Sequence, residues 1–123
     1  MQSYPDVKLF IDGEWCDAAE GKTIPVLDPA TEEEIGTIPH ATRPDLDRAL
    51  AAAEKGFAVW SQTSAYDRSR LMRKAADLLR ERAGDIAWMM TREQGKPLGQ
   101  SKMEVLAGAD VIDWFAEEGR RTY

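Results

Sequence analysis

Apolar residues change their spacing along the chain, and the change divides it into two regions. Up to residue 40 they occur in short runs bounded by Gly, Pro and Asp, a pattern typical of β-strands. Between the first two runs, Leu9–Ile11 and Glu14–Trp15, stands Asp12-Gly13, which suits a two-residue hairpin turn. The next two runs, Thr23–Leu27 and Glu34–Ile38, flank an Asp-Pro turn, and Pro39 is expected to end the last strand. Residues 1–40 are therefore predicted to form two β-hairpins.

From residue 41 onward apolar residues recur every three or four positions, which predicts helices. Helix starts are expected after Thr42 and Ser64 and at Asp85, because these side chains can accept hydrogen bonds from free N–H groups. Gly84 is predicted to end the second helix and Gly95 the third. The first helix carries an apolar stripe of Leu46, Ala49, Leu50, Ala53, Phe57 and Trp60. The core face expected for the second is Leu71, Met72, Ala75, Leu78 and Leu79; for the third it is Ile86, Met89 and Met90.

The fourth predicted helix is apolar on two opposite sides. It is expected to run from Ser101 to about Arg121, with Ser101 and Glu104 as a capping box. One apolar row is Val105, Ala109, Ile112 and Ala116; the other is Met103, Ala107, Val111 and Trp114. Between them lies an acidic seam of Asp110, Asp113 and Glu117. A helix of this kind is expected to be buried on both sides.

These elements predict an α+β, mainly helical fold: two N-terminal β-hairpins followed by four helices. The 123 residues are expected to form one domain, with hairpins in 1–40 and a helical region in 41–123. No apolar run is long enough for a membrane span, and the N-terminus does not resemble a signal peptide. A net charge of −6 argues against nucleic acid or an anionic membrane as a partner.

Charge is distributed unevenly. Residues 65–82 hold six basic and three acidic side chains, whereas the rest of the chain is acidic. This stretch has two interpretations: a solvated helix face with local ion pairs, or a docking face for an acidic surface elsewhere in a larger protein.

Few residues are candidates for chemistry. Cys16, the one thiol, has no basic or His neighbour in sequence and is expected to be an unreactive surface residue. His40 is alone, so it cannot form a multi-His metal site. Gly95-Lys96 lacks the other residues of a phosphate-binding loop, and there is no G-x-G-x-x-G. Glu93 and Glu104 are separated by a Gly-Pro break, so the sequence does not decide whether their carboxylates meet.

A family resemblance rests on the segments Glu93–Leu98, Glu104–Val105 and Asp113–Arg121. They resemble the N-terminal region of NAD(P)-dependent aldehyde dehydrogenases, within that family most closely the succinate-semialdehyde class, and the resemblance extends from about Leu9 to Tyr123. It implies a fragment, or the separate counterpart of one, that ends where the family's dinucleotide-binding core begins. The family oxidises an aldehyde to a carboxylic acid by hydride transfer to NAD or NADP through a thioester.

The resemblance also assigns roles by position. The family's Gly-Gln-x-Cys nucleophile, general-base Glu and cofactor motifs are not in these 123 residues, so the chain is expected to be inactive alone, with no catalytic, cofactor-binding or metal-binding residue. Met103, Glu104, Ala107 and Val111 match positions that line the entrance of the aldehyde tunnel; the alternative is that they belong to the core. The expected partner is the remainder of a cytoplasmic dehydrogenase. A different class of function also fits: a non-catalytic helical module that self-associates through the Met103–Ala116 helix.

Overall fold

The computed structural model describes residues 3–121, and its first two strands form a tight hairpin. β1 (Leu9–Ile11) pairs antiparallel with β2 (Glu14–Cys16), with Phe10 opposite Trp15. Asp12 and Gly13 between them have φ of +53° and +84°, the two positive values that a type I′ turn requires. The hairpin predicted from Asp12-Gly13 is therefore confirmed.

The second hairpin pairs β3 (Thr23–Leu27) with β4 (Glu34–Pro39). The predicted Asp-Pro turn joins the two strands, and the Asp28 carboxylate accepts a hydrogen bond of 2.8 Å from the Ala30 N–H. The prediction for Pro39 was slightly wrong: Pro39 lies opposite Thr23 as the last residue of the strand instead of ending the strand before it. A proline is tolerated there because the strand is at a sheet edge.

Four helices follow: α1 (Arg43–Trp60), α2 (Ala65–Glu81), α3 (Ala83–Gln94) and α4 (Leu98–Glu118). Three of the predicted end signals are confirmed. Thr42 precedes α1; the Ser64 hydroxyl accepts the Asp67 N–H at the start of α2; and Gly95, with φ of +72°, ends α3 in the left-handed region. The fold class is as predicted, with two antiparallel strand pairs and four helices.

Three other end signals were wrong. Gly84 and Asp85 lie inside the first turn of α3. α2 ends and α3 begins at Arg82, so no glycine in the left-handed conformation separates the two helices. Ser101 does not cap α4, which begins one turn earlier at Leu98. Instead Ser101 is fully buried, its hydroxyl lying 3.1 Å from the hydroxyl of Thr91. For Ser101, packing against α3 determines the role of the residue, whereas Gly84 and Asp85 are exposed within the first turn of α3.

The chain divides into two compact units, Met1–Gln62 and Thr63–Tyr123. In the second, the buried residues of α2, α3 and α4 are mostly small: Ser69, Ala76, Ala83, Ala87, Ser101, Val105, Ala109 and Ala116. The predicted core face of α2 was wrong in orientation, since Leu71 is 53% exposed while Ser69 and Ala76 are buried. Small side chains let the helices approach closely, and the buried face lies about a quarter turn from the one that the leucines suggest.

The first unit contains both hairpins and α1. Its buried residues are Ala18, Asp28 and Asp45, so α1 contributes a carboxylate to the interior rather than its leucines. The apolar stripe predicted on α1 is on the surface, with Leu46, Leu50 and Phe57 each more than half exposed. Among the described residues no helix combines the length and the apolar character that crossing a membrane requires.

Candidate functional site

α4 has one buried and one open apolar side. Val105, Ala109 and Ala116 are at most 5% exposed and face the interior of the second unit. On the opposite side stand Met103, Ala107, Val111 and Trp114, here called the outer row. Met103, Val111 and Trp114 are 64%, 54% and 67% exposed. This inner row, which also includes Ile112, is buried as the pattern predicts except at Ile112, which is half-buried. No described residue covers the outer row.

The size of the outer row makes it notable. It spans twelve residues of helix, from Met103 to Trp114, or about 17 Å along the axis at a rise of 1.5 Å per residue. Its four side chains leave on the order of 300 Å² of contiguous apolar surface exposed, comparable with the largest apolar patch on a typical monomer. Such a patch is characteristic of a binding surface or of a substrate passage.

All four predicted entrance residues lie on or beside this surface. Met103, Ala107 and Val111 belong to the outer row, one helical turn apart, and Glu104 stands next to Met103. The Glu104 carboxylate pairs with the ammonium group of Lys96, in the loop before α4. The structure thus brings the four residues together on one surface, and their role in substrate entry stays a prediction.

The acidic seam of α4 is held by α2. The Arg80 guanidinium donates hydrogen bonds to Asp110 at 2.8 Å and to Asp113 at 2.6 Å, and these bonds raise the Arg80 pKa. Arg73 forms an ion pair of 3.1 Å with Glu117. Sequence reasoning missed this pairing, which joins residues at least thirty positions apart. Part of the basic stretch 65–82 therefore faces an acidic surface of the same chain.

Asp45 is a buried carboxylate of the first unit with several hydrogen-bond partners. It is 1% exposed, and its carboxylate accepts the Thr42 N–H at 3.0 Å, the Thr42 hydroxyl at 3.1 Å and the Ala19 N–H at 3.0 Å. The hydrogen bonds from the backbone of Thr42 and then of Ala19 hold the Asp45 pKa below its usual value. The Thr42-x-x-Asp45 spacing predicts the first contact. The bond to Ala19, which ties the loop after β2 to the start of α1, has no sequence signal.

The other residues that the sequence offers as candidates for chemistry make local structural contacts. Cys16 is half-buried, and its sulfur accepts a hydrogen bond of 3.3 Å from Arg48, a basic neighbour that sequence reasoning did not foresee. His40 is exposed, and its backbone N–H bonds to the Lys22 carbonyl. Gly95 serves as a helix terminus and Lys96 as the partner of Glu104. Within residues 3–121, no three His, Cys, Asp or Glu side chains are grouped closely enough to hold a metal ion.

The described residues do not fit a nicotinamide dinucleotide. Dinucleotides bind at the carboxyl ends of parallel strands, where a helix N-terminus receives the pyrophosphate. The strands described here form two antiparallel pairs only, and the polar groups at the start of α1 are already bonded to Asp45. No step of cofactor chemistry can therefore be assigned to these residues.

Comparisons with known proteins agree on one family. The model of the aldehyde dehydrogenase family matches residues 15–123. A glutarate-semialdehyde dehydrogenase of Pseudomonas putida is 45% identical over 116 residues, which are 94% of this chain and 24% of that protein. A succinate semialdehyde dehydrogenase of Acinetobacter baylyi is 39% identical over 116 residues, with the same coverage of 94% and 24%.

Solved structures give the same result. The crystal structure of an aldehyde dehydrogenase from Brucella melitensis biovar abortus matches with a TM-score of 0.93 and 42% identity, over 96% of this chain and 24% of that one. The chain thus spans about a quarter of the length of the relatives that it matches.

Proposed function

Because the chain belongs to the aldehyde dehydrogenase family, we propose that it acts as the N-terminal quarter of an NAD(P)-dependent semialdehyde dehydrogenase. The reaction converts an aldehyde, water and the oxidised nicotinamide into a carboxylic acid, the reduced nicotinamide and a proton. The proposed substrate class is a short aldehyde that carries a second carboxylate, since the relatives named above act on glutarate or succinate semialdehyde. The choice between NAD and NADP stays open, and a cytoplasmic location stays a prediction.

The observation that carries this proposal is the family match over residues 15–123 together with the coverage of about a quarter of each relative. The nucleophile, base and cofactor site would then come from the remaining three quarters. The role proposed for this chain is structural: its exposed helix faces pack on that remainder, and α4 contributes one wall of the substrate entrance.

Reconstitution tests the proposal directly. The chain is co-expressed with the part of the Pseudomonas putida relative that it does not match, and nicotinamide reduction is followed with glutarate and succinate semialdehyde. We expect activity from the pair and none from either part alone. A chain that reduces NAD or NADP by itself, and still does so as Cys16→Ala, would contradict the assignment of the chemistry to the remainder.

The entrance assignment has its own test in the reconstituted enzyme. Ala107→Leu adds three carbons to the outer row and so narrows the proposed substrate entrance. The KM for the aldehyde is expected to rise several-fold, while the KM for the nicotinamide is unchanged. Lys102→Gln, an exposed change on α4 outside the outer row, is the matched control. Equal effects of the two substitutions on both KM values would refute a specific role in substrate access.

The open outer row also supports a second candidate function. A non-catalytic module could cover Met103, Val111 and Trp114 by pairing α4 with α4 of a second copy around a two-fold axis. Sedimentation equilibrium of the chain, alone and with the complementary dehydrogenase part, distinguishes the module from the enzyme part. A dimer that persists when the complementary dehydrogenase part is added favours the module, whereas a dimer displaced by that part favours the enzyme.

A further inference from the structure

A groove in the first unit lies between β1 and the start of α1. It has a volume of about 920 Å³, and its lining includes Leu9, Phe10 and Ile11 from the strand and Thr42, Leu46 and Ala49 from the helix region. Most of this lining is apolar, and α1 continues it outward with Leu50, which is 60% exposed.

The strand that borders the groove has an open hydrogen-bonding edge. In a two-residue hairpin, the residues next to the turn, Ile11 and Glu14, form a hydrogen-bonded pair, so the next pair along, Phe10 and Trp15, is not hydrogen-bonded. The N–H and C=O of Phe10 consequently point away from β2. Its ring lies 4.8 Å from the ring of Trp15 on the exposed face of the hairpin, so the backbone of Phe10 forms the edge at the groove.

The hairpin leaves part of the apolar stripe of α1 uncovered. Leu46 and Leu50, on the β1 side of α1, are accordingly 57% and 60% exposed. A third strand next to β1 would lie over these two leucines and would bond to the free groups of Phe10.

The rim of the groove carries two opposite charges. Arg43 and Asp47 both line it, one helical turn apart, and neither forms an ion pair with another residue of the described chain. A strand that fits would therefore present apolar side chains toward α1 and complementary charges toward this rim.

From these observations we propose that the outer edge of β1 receives a third, extended strand, which the remaining part of the dehydrogenase supplies. The strand bonds to Phe10 and fills the groove above Leu46 and Leu50. The proposal rests on the proposed function, because it takes its occupant from the polypeptide that completes the enzyme. It assigns a specific docking site to the first unit, separate from the outer row of α4.

Proline substitutions on the two strands test it. Phe10→Pro removes the N–H that points to the groove, and Trp15→Pro removes the equivalent N–H on the opposite edge of the same hairpin. Both positions are exposed, neither N–H bonds within the hairpin, and both variants lose the same Phe10–Trp15 ring contact. The two variants are therefore closely matched, apart from the edge that they block.

The readout is the amount of the complementary Pseudomonas putida part that co-purifies with the tagged chain. We expect Phe10→Pro to reduce it by about tenfold or more and Trp15→Pro to change it by less than about twofold. Circular dichroism shows whether both variants keep the helical content of the unaltered chain. If Phe10→Pro unfolds, Arg43→Glu replaces it, because this exposed change reverses a rim charge and is expected to reduce co-purification to a similar extent.

Amide hydrogen exchange of the unaltered chain gives a second measurement. In the complex, exchange at Phe10 is expected to slow by at least about tenfold, while exchange at Trp15 changes little. The strand proposal is overturned if the complex forms but Phe10 exchanges as fast as in the isolated chain and both proline variants bind equally. If the unaltered chain forms no complex and no active enzyme, the proposed function fails first, and the strand proposal fails with it.

Discussion

The two apolar sides of α4 allow one chemical change to be made in two environments. Val105→Ala and Val111→Ala remove the same atoms from the same helix, but Val105 is 5% exposed and Val111 is 54% exposed. At about 0.8 kcal/mol per buried CH₂, Val105→Ala loses about 1.6 kcal/mol, and an unfilled cavity adds to this. The better helix propensity of alanine returns about 0.5 kcal/mol, so the net loss is expected to be about 1–2 kcal/mol.

For Val111→Ala the loss of burial energy and the gain in helix propensity nearly cancel. About half of the side chain is already in water, so the burial loss is less than about 1 kcal/mol, and the helix propensity of alanine offsets most of it. The expected change lies between about −0.5 and +0.5 kcal/mol.

Urea unfolding of the isolated chain, followed by circular dichroism, measures both changes. With a slope of about 1–2 kcal/mol per molar urea, Val105→Ala should lower the midpoint by about 1 M and Val111→Ala should leave it almost unchanged. Equal shifts, or a larger shift for Val111→Ala, would refute the assignment of an inner and an outer row. If the complementary part covers the outer row, as proposed, Val111→Ala is expected to cost more stability in the reconstituted enzyme than in the isolated chain.

Three further predictions concern individual positions. Because the pKa of Asp45 is lowered in the folded state, its carboxylate stabilises the fold above about pH 4, and this contribution is lost as the pH falls through the folded-state pKa. The stability of Asp45→Asn should therefore fall less steeply with decreasing pH in that range than the stability of the unaltered chain. Gly95→Ala should lower stability by about 1–2 kcal/mol because φ is +72°, whereas Gly84→Ala, in open space inside α3, should raise it by about 0.5–1 kcal/mol; thermal melts compare the two. Gly36→Ala should displace the Tyr4 ring, because the added methyl would lie inside the van der Waals radius of that ring, and a change in the Tyr4 aromatic resonances in NMR spectra would show it.

Sequence predicts this fold best where a single short-range interaction decides the conformation. The Asp12-Gly13 turn, the Ser64 cap and the left-handed Gly95 each depend on atoms within a few residues, and all three are confirmed. Ser101 has the same hydroxyl as Ser64 but is buried against Thr91 of α3, and Gly84 lies in the first turn of α3 without the left-handed conformation of Gly95. Capping rules cannot detect that difference.

The orientation of α2 and the links between distant residues were beyond sequence reasoning for a related reason. Hydrophobicity ranks Leu71 above Ser69, whereas close helix packing favours the smaller side chain at the contact. The bond from Ala19 to Asp45 and the pairing of Arg80 with α4 join segments whose proximity no periodicity reports. The outer row of α4 and its lack of a second partner in this chain were predicted from the spacing, and the structure shows the row exposed.

The pairing of Arg80 with Asp110 and Asp113 also bears on how the helical unit folds. Its described ion pairs and hydrogen bonds include i,i+3 pairs within one helix, such as Arg70 with Asp67. They also include contacts between α2 and α4 that join residues 30 to 44 positions apart, such as Arg80 with Asp110 and Arg73 with Glu117. Helical domains, in which most contacts are local, fold within microseconds to milliseconds, much faster than a typical protein–protein encounter at micromolar concentration. In the proposed enzyme, the completing polypeptide would therefore meet an α4 surface that has already formed, and we expect docking, not the folding of this unit, to set the rate of assembly.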